Sequence, residues 1–91
     1  MLNRSKITCP CGGYKTLATD HYGSYSICEV CFWKDDEIQL ENPTYTGGAN
    51  KFSLIESQKN FIEFGACDKE MIANVRNLTK DEIKDENWKP F

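Results

Sequence analysis

Apolar and polar positions follow two different rhythms along the chain. In residues 7–40 the apolar runs are short. Tyr14-Lys15-Thr16-Leu17 and Tyr25-Ser26-Ile27 are rich in β-forming types. They flank Thr19-Asp20-His21-Tyr22-Gly23-Ser24, which has the composition of a turn. The pattern predicts a hairpin with each strand beside one close pair of cysteines. Residues 41–52, with Asn42-Pro43 and Gly47-Gly48-Ala49-Asn50, read as a connector without regular structure. Gly47-Gly48 lacks the helix-leading context of a phosphate loop, so it reads as a turn.

From Ser53 the period becomes helical. Ser53-Leu54-Ile55-Glu56 has capping-box form, and Leu54, Ile55, Phe61 and Ile62 recur one heptad apart as a single apolar stripe. Gly65 ends that helix as a C-cap. A shorter helix is predicted from Asp68, with Met71, Ile72 and Val75 inward. Thr79-Lys80-Asp81-Glu82 is a second capping box and predicts a last short turn. Trp88 and Phe91 are expected to fold back on the core. The predicted class is α+β: a small ribbon-like β-hairpin half (7–40) packed against two or three short helices (53–91).

The cysteines give the ribbon half its chemistry. Four of five lie in two pairs, Cys9-Pro10-Cys11 and Cys28-Glu29-Val30-Cys31. Two C-x2-C turns separated by about 15–20 residues are a strong zinc signature, because each turn points two thiolates at one ion. The second pair meets that spacing, while the first is one residue short. Three readings stay open. Cys9, Cys11, Cys28 and Cys31 hold a structural Zn²⁺ tetrahedrally. Alternatively, three cysteines bind and His21, Cys67 or water takes the fourth place. In the third reading the site no longer binds metal. Read blandly, His21 is a solvated turn residue and Cys67 a small buried hydrophobe.

Composition narrows the classes further. A chain of 91 residues predicts one domain with a modest core, for which a metal or disulfide staple is common. Met1-Leu2-Asn3-Arg4-Ser5-Lys6 has no apolar run after its charges, so no secretory signal is expected. No segment approaches the roughly 18 apolar residues that span a bilayer. The expectation is a cytoplasmic protein whose thiols stay reduced, which favours metal over disulfides. Net charge is −3 and evenly spread, with no basic stripe of the kind nucleic-acid binders carry.

Phe32-Trp33 follows the second cysteine pair. One ring is expected to shield the metal and the other to face the helices, and Trp33 is also a candidate partner-binding residue. Asp35-Asp36-Glu37 reads as a solvated face or a helix N-terminus, or alternatively as an acidic patch for a basic partner.

These residues carry a resemblance. Cys9-Pro10-Cys11-Gly12-Gly13-Tyr14-Lys15-Thr16-Leu17 and Cys28-Glu29-Val30-Cys31-Phe32-Trp33-Lys34-Asp35-Asp36 closely resemble the bacterial cysteine-rich CPCC family. The similarity continues through Asn42-Pro43, Gly47-Gly48-Ala49-Asn50-Lys51, Ser53-Leu54, Asn60-Phe61 and Phe64-Gly65-Ala66 to Asp81-Glu82-Ile83, Asp85 and Trp88-Lys89-Pro90. Gly12 stands where the family has the last cysteine of its defining motif. That departure weakens or removes the metal site and makes Cys11 the substitute ligand of the first reading. The resemblance implies a small zinc-ribbon-like protein without an assigned activity. The expected function is a non-catalytic, zinc-stabilised protein-interaction module, in concrete form an immunity or antitoxin protein bound to a bacterial toxin. The alternatives are a nucleic-acid-binding zinc ribbon and a thiol-redox protein.

Overall fold

The computed structural model describes residues 6–91. Regular structure is sparse. Strands β1 (Ile7–Thr8) and β2 (Lys15–Leu17) precede helix α1 (Glu37–Glu41), helix α2 (Leu54–Phe64) and a 3-10 helix (Lys69–Asn74). The class is α+β, as expected.

The N-terminal hairpin pairs differently from the sequence reading. β2 runs antiparallel to β1, with Ile7 opposite Leu17 and Thr8 opposite Lys15. The first cysteine pair is therefore the turn of that hairpin rather than its flank. Residues 25–27 form no partner strand for β2. Tyr25 has φ 61°, which breaks an extended run, and Ile27 bridges Lys34 instead. Tyr25 N–H donates to Asp35 O at 3.0 Å and Asp35 N–H to Ser26 O at 2.8 Å. The second cysteine pair thus closes a small hairpin of its own. The predicted turn at 19–24 is present and links the two.

The free edge of β2 is covered by the C-terminal segment. Tyr14 bridges Lys84, Lys15 N–H donates to Ile83 O at 2.9 Å, and Asp85 N–H donates to Gly13 O at 2.9 Å. Trp88 follows and lies on Gly13, where an added Cβ would meet the ring at 2.4 Å. Gly13 also has φ +81°, so glycine answers both the left-handed turn and the close approach. Trp88 folds back as expected, whereas the Phe91 side chain stays exposed.

α2 begins and ends as its sequence dictates. Ser53 Oγ accepts from Glu56 N–H at 3.2 Å, and Gly65 caps the end at φ 81°. Its inward face is more polar than the stripe predicted. Leu54, Ser57 and Gln58 are buried, while Ile62 is 75 % exposed. Gln58 faces inward because it has work there: its Nε2 donates to Pro10 O and its Oε1 accepts from Phe91 N–H, both at 2.9 Å. The segment after Asp68 is the 3-10 helix, and none of its residues is buried, so Ile72 does not point inward. The Thr79–Glu82 box closes a turn, with Thr79 N–H donating to the Glu82 carboxylate at 2.9 Å.

α1 starts where Asp35-Asp36-Glu37 reads as a solvated face or a helix N-terminus, and the second of these holds. Asp36 caps it through Oδ1, which accepts from Ile38 and Gln39 N–H. The other carboxylate oxygen accepts from Ala49 N–H at 2.8 Å, pinning the glycine loop. A Cβ at Gly48 would lie 2.6 Å from that oxygen, so the loop needs glycine there. Buried Gln39 and Asn50 complete the bracket. Gln39 Nε2 reaches the carbonyls of Tyr45, Asn50 and Phe52, and Asn50 Oδ1 and Nδ2 bond the Lys34 backbone.

Two predictions follow from these anchors. Ser53→Ala should cost about 1 kcal/mol in urea unfolding, the ordinary cost of a cap. Asp36→Ala should cost about twice that, because it removes the helix cap and also releases the Ala49 N–H that pins the glycine loop. Acid should act through Glu82, which is held well below the usual carboxylate range chiefly by hydrogen bonds from Arg76. Its contribution is full above the ordinary glutamate value of about 4.3 and lost as pH falls toward the folded value. Between about pH 5 and 3, wild type should lose more stability than Glu82→Gln in parallel urea titrations.

Candidate metal centre

Two knuckles of the same build meet at the centre. In the first, Cys9 N–H donates to Tyr14 O and Gly13 N–H to Cys9 O, both at 2.8 Å. In the second, Cys28 N–H donates to Trp33 O at 2.9 Å and Phe32 N–H to Cys28 O at 2.7 Å. Gly13 and Phe32 both take positive φ, 81° and 69°. The turns correspond residue for residue: Cys9 with Cys28, Gly12 with Cys31, Gly13 with Phe32, and Cys11 with Val30.

That correspondence decides which sulfurs converge. The Sγ atoms of Cys9, Cys28 and Cys31 all lie within 4.8 Å of one another, with Cys9 and Cys31 3.5 Å apart. Zn–S bonds of about 2.3 Å at tetrahedral angles put sulfurs roughly 3.8 Å apart, so the set fits such an ion. Cys11 stands outside the set, in the place of Val30. Its thiol donates instead to Ser57 O on α2 at 3.3 Å. The short first pair thus places Cys9 in the set and leaves Cys11 beside it, where its thiol also reaches Cys31.

Burial and mutual hydrogen bonding set the thiol chemistry. Cys9 and Cys31 are pushed well above the ordinary thiol value, chiefly by loss of water. Cys28 is drawn down because Cys31 and Cys9 donate to it, with help from the Thr16 hydroxyl 3.0 Å away. Burial raises Cys11 to about 11 and Cys67 to about 12. A cation would supersede this sharing and hold all three central sulfurs as thiolates.

Each knuckle is fastened from outside. Pro10 O accepts from both Gln58 Nε2 and Trp88 Nε1 at 2.9 Å. Cys31 O accepts from Cys67 N–H at 2.7 Å, and Glu29 O from Arg76 N–H at 3.0 Å. The remaining sequence candidates lie elsewhere. His21 is exposed and paired with Asp20 at 2.6 Å. Cys67 is buried beside the second knuckle but outside the three-sulfur set.

Trp33, Asp35 and Asp36 are interior rather than at a docking surface. Trp33 is enclosed with the cysteines, Asp35 accepts from Ser24 N–H and Oγ, and Asp36 caps α1. Of the four partner candidates only Glu37 is exposed. Thr16, Pro10 O and Gln58 were missed. Their roles depend on contacts across the fold, and nothing in their local sequence marks them.

A sulfur-lined centre between two knuckles, backed by short helices, defines a small cysteine-rich α+β protein with a candidate metal clamp. Residues 7–82 match the family model described as Cysteine-rich CPCC, and the chain belongs to that family. No curated protein matches it significantly.

If the centre carries an ion, binding energy is folding energy. A chelator and Cys28→Ser should each cost about 3 kcal/mol or more, a Tm drop of roughly 12–24 °C for a domain this size. Cys11→Ser should cost about 1 kcal/mol and leave the response to chelator intact. Thermal melts with and without chelator check all three.

Proposed function

We propose that this protein is a non-catalytic binding module, with a structural Zn²⁺ fixing its ribbon half and its surface engaging another protein. One observation carries the reading: all five cysteines are buried, with their sulfurs turned into the fold. Thiols so enclosed suit a structural clamp better than redox exchange, which needs an accessible thiolate. Zinc fits because it takes thiolates and has no redox chemistry of its own.

The surface supports the partner half. Net charge is −3. Large apolar side chains stand exposed beside carboxylates: Ile38 between Glu37 and Glu41 on α1, and Ile62 beside Glu63 on α2. Apolar points in an acidic field suit a basic partner. The concrete form is a toxin whose own site is built for phosphate, occluded by this protein as its immunity partner.

Co-expression should relieve the toxicity of a basic toxin encoded beside this chain, and the purified pair should associate more slowly as salt rises. Reversing both Glu37 and Glu41 to lysine should cut the association rate about tenfold at low salt without moving Tm. Recovery of nucleic acid in place of protein, with steeply salt-dependent affinity, would overturn the reading.

A further inference from the structure

We propose that the ion is held by only three sulfurs of this chain, Cys9, Cys28 and Cys31. Its fourth position, on the Gly12 side, is open to a small thiol from solution behind a lid formed by Phe61. The proposal rests on the metal-clamp reading above.

The vacancy is located by the matching turns. Residue 12 is the counterpart of Cys31, and glycine brings no donor there. The candidate substitutes all lie outside the three-sulfur set. Cys11 occupies the Val30 counterpart and bonds Ser57 O, although its thiol also reaches Cys31, so it is the rival ligand that the Cys11→Ser variant tests. Cys67 lines a different cavity, of about 270 Å³, with Phe32, Lys34, Phe52 and Met71. His21 is exposed at the 19–24 turn and held by Asp20. Zinc in a closed structural site takes four protein ligands, so three leave one for an outside donor.

Phe61 governs access to that position. A Cβ added to Gly12 would meet Phe61 Cε2 at 3.2 Å and two further ring atoms at 3.5 Å. The ring therefore lies against the space a cysteine at 12 would claim. The same side chain walls a surface groove of about 300 Å³, with Val30, Phe64, Gly65, Val75 and Leu78 among its lining. Phe61 is half-buried and borders both the groove and the Gly12 position.

The lining selects the donor. The groove is largely apolar, and Arg76 at its edge is occupied by Glu29 and Glu82. A small thiol suits such a path, and as a thiolate it rebuilds the four-sulfur shell that a cysteine at 12 would complete. On binding, the thiol proton passes to solvent and the sulfur takes the place of whatever light donor stood there. The ion and the three cysteine sulfurs keep their oxidation states.

X-ray absorption on the zinc-loaded full chain tests the donor set. One ion per chain with three sulfurs and one lighter atom is expected, unchanged in Cys11→Ser and Cys67→Ser. Titrating 2-mercaptoethanol into the cobalt-loaded protein should raise the thiolate charge-transfer band by about one third, as a fourth sulfur joins three. Gly12→Cys combined with Phe61→Ala should show four sulfurs without added thiol and no titration response. Four sulfurs in wild type, falling to three in Cys11→Ser or Cys67→Ser, would overturn the proposal while leaving the clamp intact. A wild-type cobalt protein blind to the thiol would overturn the open position. A chain that binds no metal would bring down the clamp reading itself, and this proposal with it.

Discussion

Three sulfur atoms within 4.8 Å of one another, all buried, are the constraint around which this molecule is built. Taken as thiolates, like charges that close in a dry interior repel strongly, and a cation is the simple way to keep them together. Taken as thiols, they are weak donors facing one another with little packing value. The surroundings point to the first state. Five of the nine residues in the buried core cluster are cysteines, which leaves Leu17, Val30, Trp33 and Leu54 as its bulky apolar members. A core that small is marginal for a chain of this length. The strands are two and three residues long, too short to hold a sheet by themselves.

Polar anchors do much of what apolar packing does in larger proteins. Pro10 O is gripped by α2 and by the C-terminal segment at once. Gln39 and Asn50 lock the glycine loop against α1 and the Lys34 backbone. Arg76 ties the end of the 3-10 segment to Glu29 in the second knuckle and to the turn carrying Glu82. Such bonds add modestly to stability when made and cost much more when one partner is lost. They therefore specify one arrangement of loops that hydrophobic burial alone would leave loosely defined.

What the sequence revealed divides along the same line. α2 was legible because its signals are local: Ser53 and Glu56 cap it, Leu54 packs inward, and Gly65 ends it in a left-handed turn. The cysteine centre was legible because C-x2-C spacing is itself a geometry. The strand pairing was not, since residues 14–17 and 25–27 carry the same β-forming composition whichever partner they take. The acidic run at 35–37 was half legible: Asp36 does start a helix, but the burial of Asp35 and Asp36 was hidden. Asp35 and Asp36 look solvated by type, and only the distant Ser24 and Ala49 N–H groups show why both are inside. Ile62 failed the heptad rule because Gln58 took the inward position, drawn there by Pro10 O and Phe91 N–H. Cys11 reads as a fourth ligand from its place in the sequence; the close set holds Cys9, Cys28 and Cys31, with Cys11 beside Cys31.

The glycine at position 12 shows how a knuckle keeps its shape with no ligand at that position. The turn is defined by backbone bonds, Cys9 N–H to Tyr14 O and Gly13 N–H to Cys9 O, and neither involves the side chain of residue 12. Gly13 supplies the positive φ, Trp88 packs on it, and Asp85 N–H binds its carbonyl. The first knuckle is thus held by the chain's C-terminal segment, independently of any ion. The second is fastened by Cys67 and Arg76, and Phe32, not glycine, bears its positive φ, a strained choice for a bulky residue. Cys28 and Cys31 both turn their sulfurs to the centre from that strained turn. An ion there would meet two sulfurs from the second knuckle and Cys9 from the first, whose turn is shaped by its backbone bonds.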